Sequence, residues 1–214
     1  MRVLYLHQHF STPQGSTGTR SFEMAQRLLA RGHRVTMVCG SFNMAHTGLQ
    51  LSPVVDGVRR GRVEGIDLIE ISLPYRNADG FLKRSFTFLR FALRSFRLVM
   101  REEYDLIFAT STPLTVAVPG VLARWLRRKP FVFEVRDLWP ALPKAMGVIK
   151  NPLVLWLMDR LERLAYRVSD AQIGLAPGIE AGIREKNSGQ PVALIPNGCD
   201  LHLFRPLSER ALLP

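Results

Sequence analysis

Cysteine is scarce in this chain: Cys39 and Cys199 are the only two among 214 residues. Two thiols so far apart make no disulfide framework, and neither stands near a second ligand at metal spacing. A reducing cytoplasm is the simplest setting for such a chain. Long apolar runs are missing as well. No segment reaches the roughly 20 uninterrupted apolar residues that a membrane span needs. The run Met1–Leu6 is interrupted by His7, Gln8 and His9, too early for the core of a signal peptide. Acids are the third shortage: 18 Asp and Glu stand against 29 Lys and Arg, a formal net charge of +11. Such an excess implies an anionic partner, namely phosphate, nucleic acid or acidic lipid. No repeat period and no low-complexity tract is present.

What is there is an alternation. Strand-like segments at Arg2–Gln8, Arg34–Cys39, Ile66–Leu73, Leu106–Ala109, Phe131–Val135, Ala171–Leu175 and Val192–Ile195 are separated by helical ones. The helical segments are Arg20–Arg31, Phe81–Arg101, Pro113–Arg127, Leu153–Arg167 and Ile179–Lys186. Gly32 stops the first helix, and Pro119 is expected to kink the third. Residues 43–65, rich in Gly, Pro and Arg, read as a loop or small hairpin. Continuous Val, Ile, Leu and Phe strands alternating with helices predict an α/β fold. Its core is a doubly wound parallel sheet of about seven strands with helices on both faces.

Three segments carry candidate chemistry. The first is the loop from Thr12 to Arg20, with Gly15 and Gly18, between the first strand and the first helix. In open parallel sheets ligands bind beyond the carboxyl ends of the strands, where glycines admit a phosphate and a helix N-terminus offers free N–H groups. The spacing fits neither the Gly-x-Gly-x-x-Gly fingerprint nor a phosphate-binding loop ending in Lys-Ser/Thr, and a plain glycine-rich connector is the competing reading. The second segment is Phe131–Pro140. Its strand ends in Glu134, Arg136 and Asp137, charges that are costly there unless paired or used. Ser111 and Thr112 leave the preceding strand at the same edge. A structural ion pair that pins loops is the alternative. His7 and His9, just past the first strand, are placed for ligand contact or proton transfer, although a histidine there is more often structural.

The third segment is the helix Phe81–Arg101, with six basic residues and no acid. At helical pitch Lys83, Arg90, Arg94, Arg97 and Arg101 fall on one face. Phe88, Ala92, Phe96 and Val99 fall opposite, flanked by Leu89, Leu93 and Met100. Arg124, Arg127, Arg128 and Lys129 extend the basic surface. Contact with an anionic bilayer fits this pattern. The competing reading is a helix with a solvated Arg face.

Taken in order, several segments resemble the N-terminal, acceptor-binding domain of family 4 glycosyltransferases. They are Leu4–Phe10 with Pro13, Gly15, Gly18 and Arg20; Leu29–Thr36; Val135–Pro140; Leu161–Tyr166; Gly174–Ile179; and Ile195–Asp200 with Phe204 and Pro206. The form Asp137-Leu138-Trp139-Pro140 is similar to the branch that builds bacterial surface polysaccharides. The resemblance implies half of a GT-B enzyme: a Rossmann-like acceptor-binding domain over residues 1–195, the start of an interdomain linker over 196–214, and an absent C-terminal donor-binding domain. It implies a retaining reaction with a nucleotide diphosphate sugar as donor, no cofactor and no metal.

By resemblance, the loop with Gly15, Gly18 and Arg20 faces the donor's diphosphate and sugar. Arg136 and Asp137 stand at the acceptor or reacting carbon, with His9, Glu134, Ser111 and Thr112 on the acceptor side. The implied partners are the donor-binding domain, a sugar or lipid-linked acceptor, and the inner face of the cytoplasmic membrane, with no nucleic acid. The expected location is cytoplasmic and peripheral. The two glycines are separated by Ser16 and Thr17, where the family often has adjacent glycines. The chain is expected to be a truncated fragment, inactive alone, or one subunit of a split enzyme. A non-catalytic module binding anionic lipid or nucleic acid is the reading from another class.

Overall fold

A computed structural model describes residues 1–42, 44–75, 79–187 and 189–198. The last linker landmarks, Cys199, Asp200, Phe204 and Pro206, lie outside the described residues. Among the described residues eight strands form one sheet in the order β3-β4-β2-β1-β5-β6-β7-β8. The centre is β1 (Arg2–Leu6), paired in parallel with β2 (Arg34–Phe42) on one side and β5 (Leu106–Thr110) on the other. Outward from these lie β4 (Ile66–Tyr75), then β6 (Phe131–Val135), β7 (Ala171–Gly174) and β8 (Val192–Leu194), all parallel. Val3, Leu4, Tyr5 and Leu6 are fully buried, as a strand covered on both faces requires.

The strand count is one higher than the sequence pattern suggests. The extra strand, β3 (Val58–Val63), lies in the segment read as a loop or hairpin and pairs antiparallel with β4. It carries Arg59, Arg60 and Arg62, and cations on an edge strand discourage pairing with another chain. Arg59 also bonds the buried carboxylate of Glu70 on β4, which Thr47 bonds as well.

Helix α1 (Arg20–Ala30) packs on one face of the sheet, burying Phe22 and Ala25. It ends where Gly32 takes φ +78°, a conformation glycine adopts without steric cost. The other face is covered by α2 (Phe81–Arg101), α3 (Ala117–Leu126), α5 (Pro152–Val168) and α6 (Pro177–Lys186). A short α4 (Ala141–Ala145), not anticipated from the pattern, precedes α5. Pro119 does not kink its helix. A 3-10 turn, Leu114–Val116, precedes α3, so Pro119 falls in the first turn of the α-helix. A missing N–H costs nothing there.

Helix α2 is turned differently from the expected split into an Arg face and a Phe face. Phe91, Ala92, Ser95 and Val99 are buried, while Leu89, Leu93 and Met100 face outward beside Lys83, Arg90, Arg97 and Arg101. Arg94 is drawn inward and donates to the Gly57 carbonyl at 3.2 Å. The outer face is therefore mixed, apolar and cationic.

Candidate active site

The sheet changes winding direction at its centre. From β1 the chain passes through α1 to β2 on one side, whereas β5 leads through α3 to β6 on the other. The loops beyond the carboxyl ends diverge at such a switch point and leave a crevice. A cavity of about 360 Å³ lies there, lined by His7, His9, Thr17, Gly18, Thr112, Arg136, Asp137, Leu175 and Asn197. Each lining residue follows a strand or belongs to the loop between β1 and α1. A larger cavity of about 660 Å³ opens between the end of α1 and the amino ends of β2 and β4, with His33, Arg34, Arg62, Glu64 and Asp67 among its walls. The site is assigned to the smaller one, because only there do the candidate groups converge at the carboxyl edge.

Arg136 and Asp137 extend from β6. The Arg136 N–H donates to Ser111 Oγ at 2.8 Å, and Thr112 Oγ1 donates to Asp137 Oδ2 at 3.0 Å. Thr112 itself has φ +92°, an unusual conformation for a β-branched residue and one that tends to mark functional loops. Among the described residues no carboxylate pairs with the Arg136 guanidinium. Its side-chain contact is His7 Nε2, at 3.3 Å. A half-buried cation lacking a counter-charge is suited to an anionic ligand. Thr17 Oγ1 is buried without a partner among the described residues, and a Cβ on Gly18 would meet nothing within 4 Å. Helix α1 opens on this space with no side-chain cap on its first turn. Free N–H groups at that end favour negative charge.

Behind the cavity wall runs a chain of buried hydrogen bonds whose polarity is fixed at both ends. Arg136 only donates, so His7 Nε2 accepts and the neutral ring carries its proton on Nδ1. Nδ1–H then donates to Ser21 Oγ, which bonds the Tyr5 hydroxyl. At the far end Glu134 only accepts, so Thr110 Oγ1 donates to Oε2 at 2.7 Å and takes its own hydrogen bond from Tyr5 at 3.3 Å. Burial, with Arg136 and then His9 adding repulsion, pushes the His7 pKa well below its ordinary value. His9 is lowered to about 4 by burial, then by Arg136 and Arg84. Both rings are neutral at pH 7. Burial also raises the Tyr5 phenol, so it stays protonated.

Several expected roles change. Glu134 is wholly buried and bonded to Arg20 and Thr110, so it cannot meet an acceptor. Ser111 is buried too, and its hydroxyl holds the Arg136 backbone. Arg20 turns away from the loop where a donor was expected. Its Nη2 lies 2.8 Å from Glu134 Oε1, and it donates to the carbonyls of Ile195 at 2.7 Å and Pro196 at 2.9 Å. Gly15 does not line the cavity. A Cβ there would lie 2.1 Å from Ser11 Oγ and 2.8 Å from the His46 backbone nitrogen, so glycine is needed for loop packing. Asp137, Arg136, Thr112, His9 and Gly18 do converge. Thr17, Leu175 and Asn197 were missed. Each nevertheless lies in a segment the sequence had marked: Thr17 in the Thr12–Arg20 loop, Leu175 in Gly174–Ile179 and Asn197 in Ile195–Asp200.

Glu162, in the Leu161–Tyr166 segment, serves the same edge from behind. Its buried carboxylate accepts from the Trp139 backbone N–H and the Tyr166 hydroxyl, both at 2.9 Å, and from Lys186. That anchors the loop carrying Arg136 and Asp137.

The sequence profile of the glycosyl transferase 4-like domain matches residues 15–198. The chain belongs to that family. No curated protein matches it by sequence. Its fold is similar to that of sucrose-phosphate synthase from Thermosynechococcus elongatus, with a TM-score of 0.67 at 17% identity over 100% of this chain and 53% of that one. The catalytic domain of starch synthase IV from Arabidopsis thaliana, bound to ADP and acarbose, is similar at a TM-score of 0.60 and 13% identity, over 97% of this chain and 53% of that one. Anabaena HepE in complex with UDP-glucose gives 0.54 at 17%, over 95% and 45%. The glycosyl transferase 4-like chain thus spans about half the length of these structures. Among its described residues no helix is long and apolar enough to cross a membrane.

Proposed function

We propose that this chain is the acceptor-binding half of a retaining glycosyltransferase that uses a nucleotide diphosphate sugar to build bacterial polysaccharide or glycolipid. One observation carries the reading. The switch-point crevice of a glycosyl transferase 4-like chain is lined by both the Arg136 guanidinium, which forms no ion pair among the described residues, and the Asp137 carboxylate. In this scheme Asp137 accepts the hydrogen bond of the attacking acceptor hydroxyl and orients it toward the sugar. Arg136 and the open first turn of α1 lower the energy of the negative charge that grows on the departing diphosphate. The neutral His9 and Thr17 Oγ1 contact the sugar or the acceptor. His7 holds Arg136 in place.

The donor's nucleotide is bound chiefly by a separate donor-binding domain, reached through the segment that starts at Pro196. The cationic outer face of α2 keeps the enzyme at the inner surface of the cytoplasmic membrane. The similar structures that hold ADP or UDP-glucose are about twice as long, which is consistent with this division of labour.

Calorimetry of the 214-residue chain with uridine, guanosine, adenosine and thymidine diphosphate sugars tests the division. Dissociation constants in the millimolar range or weaker are expected. Micromolar binding accompanied by turnover would end the half-enzyme reading.

A further inference from the structure

The structure bares a second apolar strip that α2 does not explain. Leu153, Trp156 and Leu157, spaced i, i+3 and i+4 at the start of α5, are each more than half exposed. The turn before them also bares Met146 and Val148. Residues this apolar normally face a core or a partner. On α2, Phe86, Leu89 and Leu93 are likewise half or more exposed.

The two strips belong together. Both helices follow strands of the parallel sheet, so both begin at its carboxyl edge, the edge of the crevice. Helix α3 packs against each of them. The strips are therefore two neighbouring ridges on one side of the molecule, separated by two helix spacings of about 8–10 Å each. Their charge is predominantly positive. Helix α2 has six basic residues and no acid, with Asp79 just before it paired to Lys83 at 2.7 Å, and Lys144 and Lys150 are the only charges between Asp137 and Asp159. Arg160 lies over the Trp156 ring at 5.4 Å, and Arg90 over the Phe86 ring at 5.6 Å. Leu, Phe and Trp rimmed by an excess of Lys and Arg suit the headgroup layer of an acidic bilayer, whereas a neutral protein surface gains little from such an excess of positive charge.

We infer that the outer face of α2 and the 142–157 segment are two prongs that dock the chain on an acidic membrane. The crevice then lies at headgroup level. This inference deepens the proposed function, on which its substrate assignment rests: the acceptor is a lipid-linked molecule, presented from the bilayer between the prongs. Docking itself needs no catalysis and can fail independently of the transfer reaction.

The test uses the 214-residue chain and vesicles of phosphatidylcholine alone or with about 30% phosphatidylglycerol. Co-sedimentation at physiological salt is expected with the acidic vesicles and not with the neutral ones. The charge reversal R90E/R97E and the apolar replacement L153S/W156S/L157S are each expected to weaken binding about tenfold or more. Circular dichroism of each variant checks its folding. Acidic vesicles are also expected to shift tryptophan emission to the blue in the wild type and in Trp125→Phe, but much less in Trp156→Phe. Absence of binding to acidic vesicles, or binding untouched by the α5 replacement in a folded variant, overturns the two-prong surface. So does self-association through this face in place of vesicle binding. None of these outcomes would disprove glycosyl transfer.

Discussion

Arg20 and Glu134, 114 residues apart in sequence, form a buried ion pair that also grips the end of the sheet. Glu134 is fully enclosed and the Arg20 side chain is 9% exposed. In the same guanidinium Nη2 also donates to the Ile195 carbonyl, and Nη1 donates to the Pro196 carbonyl and, at 3.2 Å, to Asn197 Oδ1. One side chain therefore ties α1, β6 and the segment leaving β8. Removing it strands a buried carboxylate. Arg20→Ala is expected to lower folding stability by about 3–5 kcal/mol, and Glu134→Gln by less, because the amide keeps an acceptor for Arg20. Urea midpoints for the two variants check the order. Equal small losses would mean that the pair is not closed in solution.

The polarity of the buried hydrogen-bond chain makes a spectroscopic prediction. His7 is expected as the neutral Nδ1–H tautomer, because Arg136 occupies Nε2. Long-range proton–nitrogen spectra of labelled protein should show this tautomer throughout pH 8 to 6. Arg136→Ala frees Nε2 and should allow the other tautomer or a charged ring to appear. An Nε2–H ring in the wild type would contradict the Arg136–His7 hydrogen bond and, with it, the direction assigned to the bonds through Ser21 and Tyr5.

Acid sensitivity follows from the two histidines. Both have folded-state values below the ordinary one, and His9 falls from 6.5 to about 4. The unfolded chain therefore binds protons first. The contribution is complete above about pH 6.5 and drains as pH falls toward 4, at up to about 1.4 kcal/mol per pH unit for each ring. Urea midpoints should decline between pH 6.5 and 5, above the range where ordinary carboxylates titrate. His9→Phe should flatten that decline by roughly half, the share of one of the two rings. A flat profile in the wild type would contradict the burial of both rings.

The two loop glycines should separate cleanly. Gly15→Ala drives a methyl into Ser11 Oγ and the His46 backbone, and is expected to cost about 1–3 kcal/mol. Gly18→Ala meets open space and should leave stability within about 0.5 kcal/mol. Any effect of Gly18→Ala on transfer then reports on the ligand. Thermal unfolding of the pair is sufficient to decide.

The parallel strands were legible because burial on both faces forces continuous apolar runs such as Val3–Leu6 and Phe131–Phe133. Strand β3 was not. Its Val-Arg-Arg-Gly-Arg-Val sequence lies at an edge, where one side faces water and pairing with β4 supplies the order. The carboxyl-edge location of the site was legible for the same reason as the strands. The division of charges within it was not. Arg20, Glu134, Arg136 and Asp137 all read as cleft charges, and only tertiary pairing turns the first two inward and leaves the last two lining the crevice. The outward rotation of Leu89 and Leu93 on α2 was likewise hidden, because helical pitch ranks faces but does not say which one meets the sheet.

The most direct measurement is sugar transfer into a membrane lipid extract by the protein together with its donor-binding domain, comparing wild type with Asp137→Ala. Losing one hydrogen bond to a charged group is worth about 1.5–3 kcal/mol, so transfer should fall by about 10–150-fold. Affinity for the nucleotide sugar, measured by calorimetry on the same preparations, should stay within a factor of about two, well under the tenfold that 1.4 kcal/mol represents. Undiminished transfer in the variant, or a loss of nucleotide-sugar binding that accounts for the whole defect, would contradict the placement of Asp137 on the acceptor side.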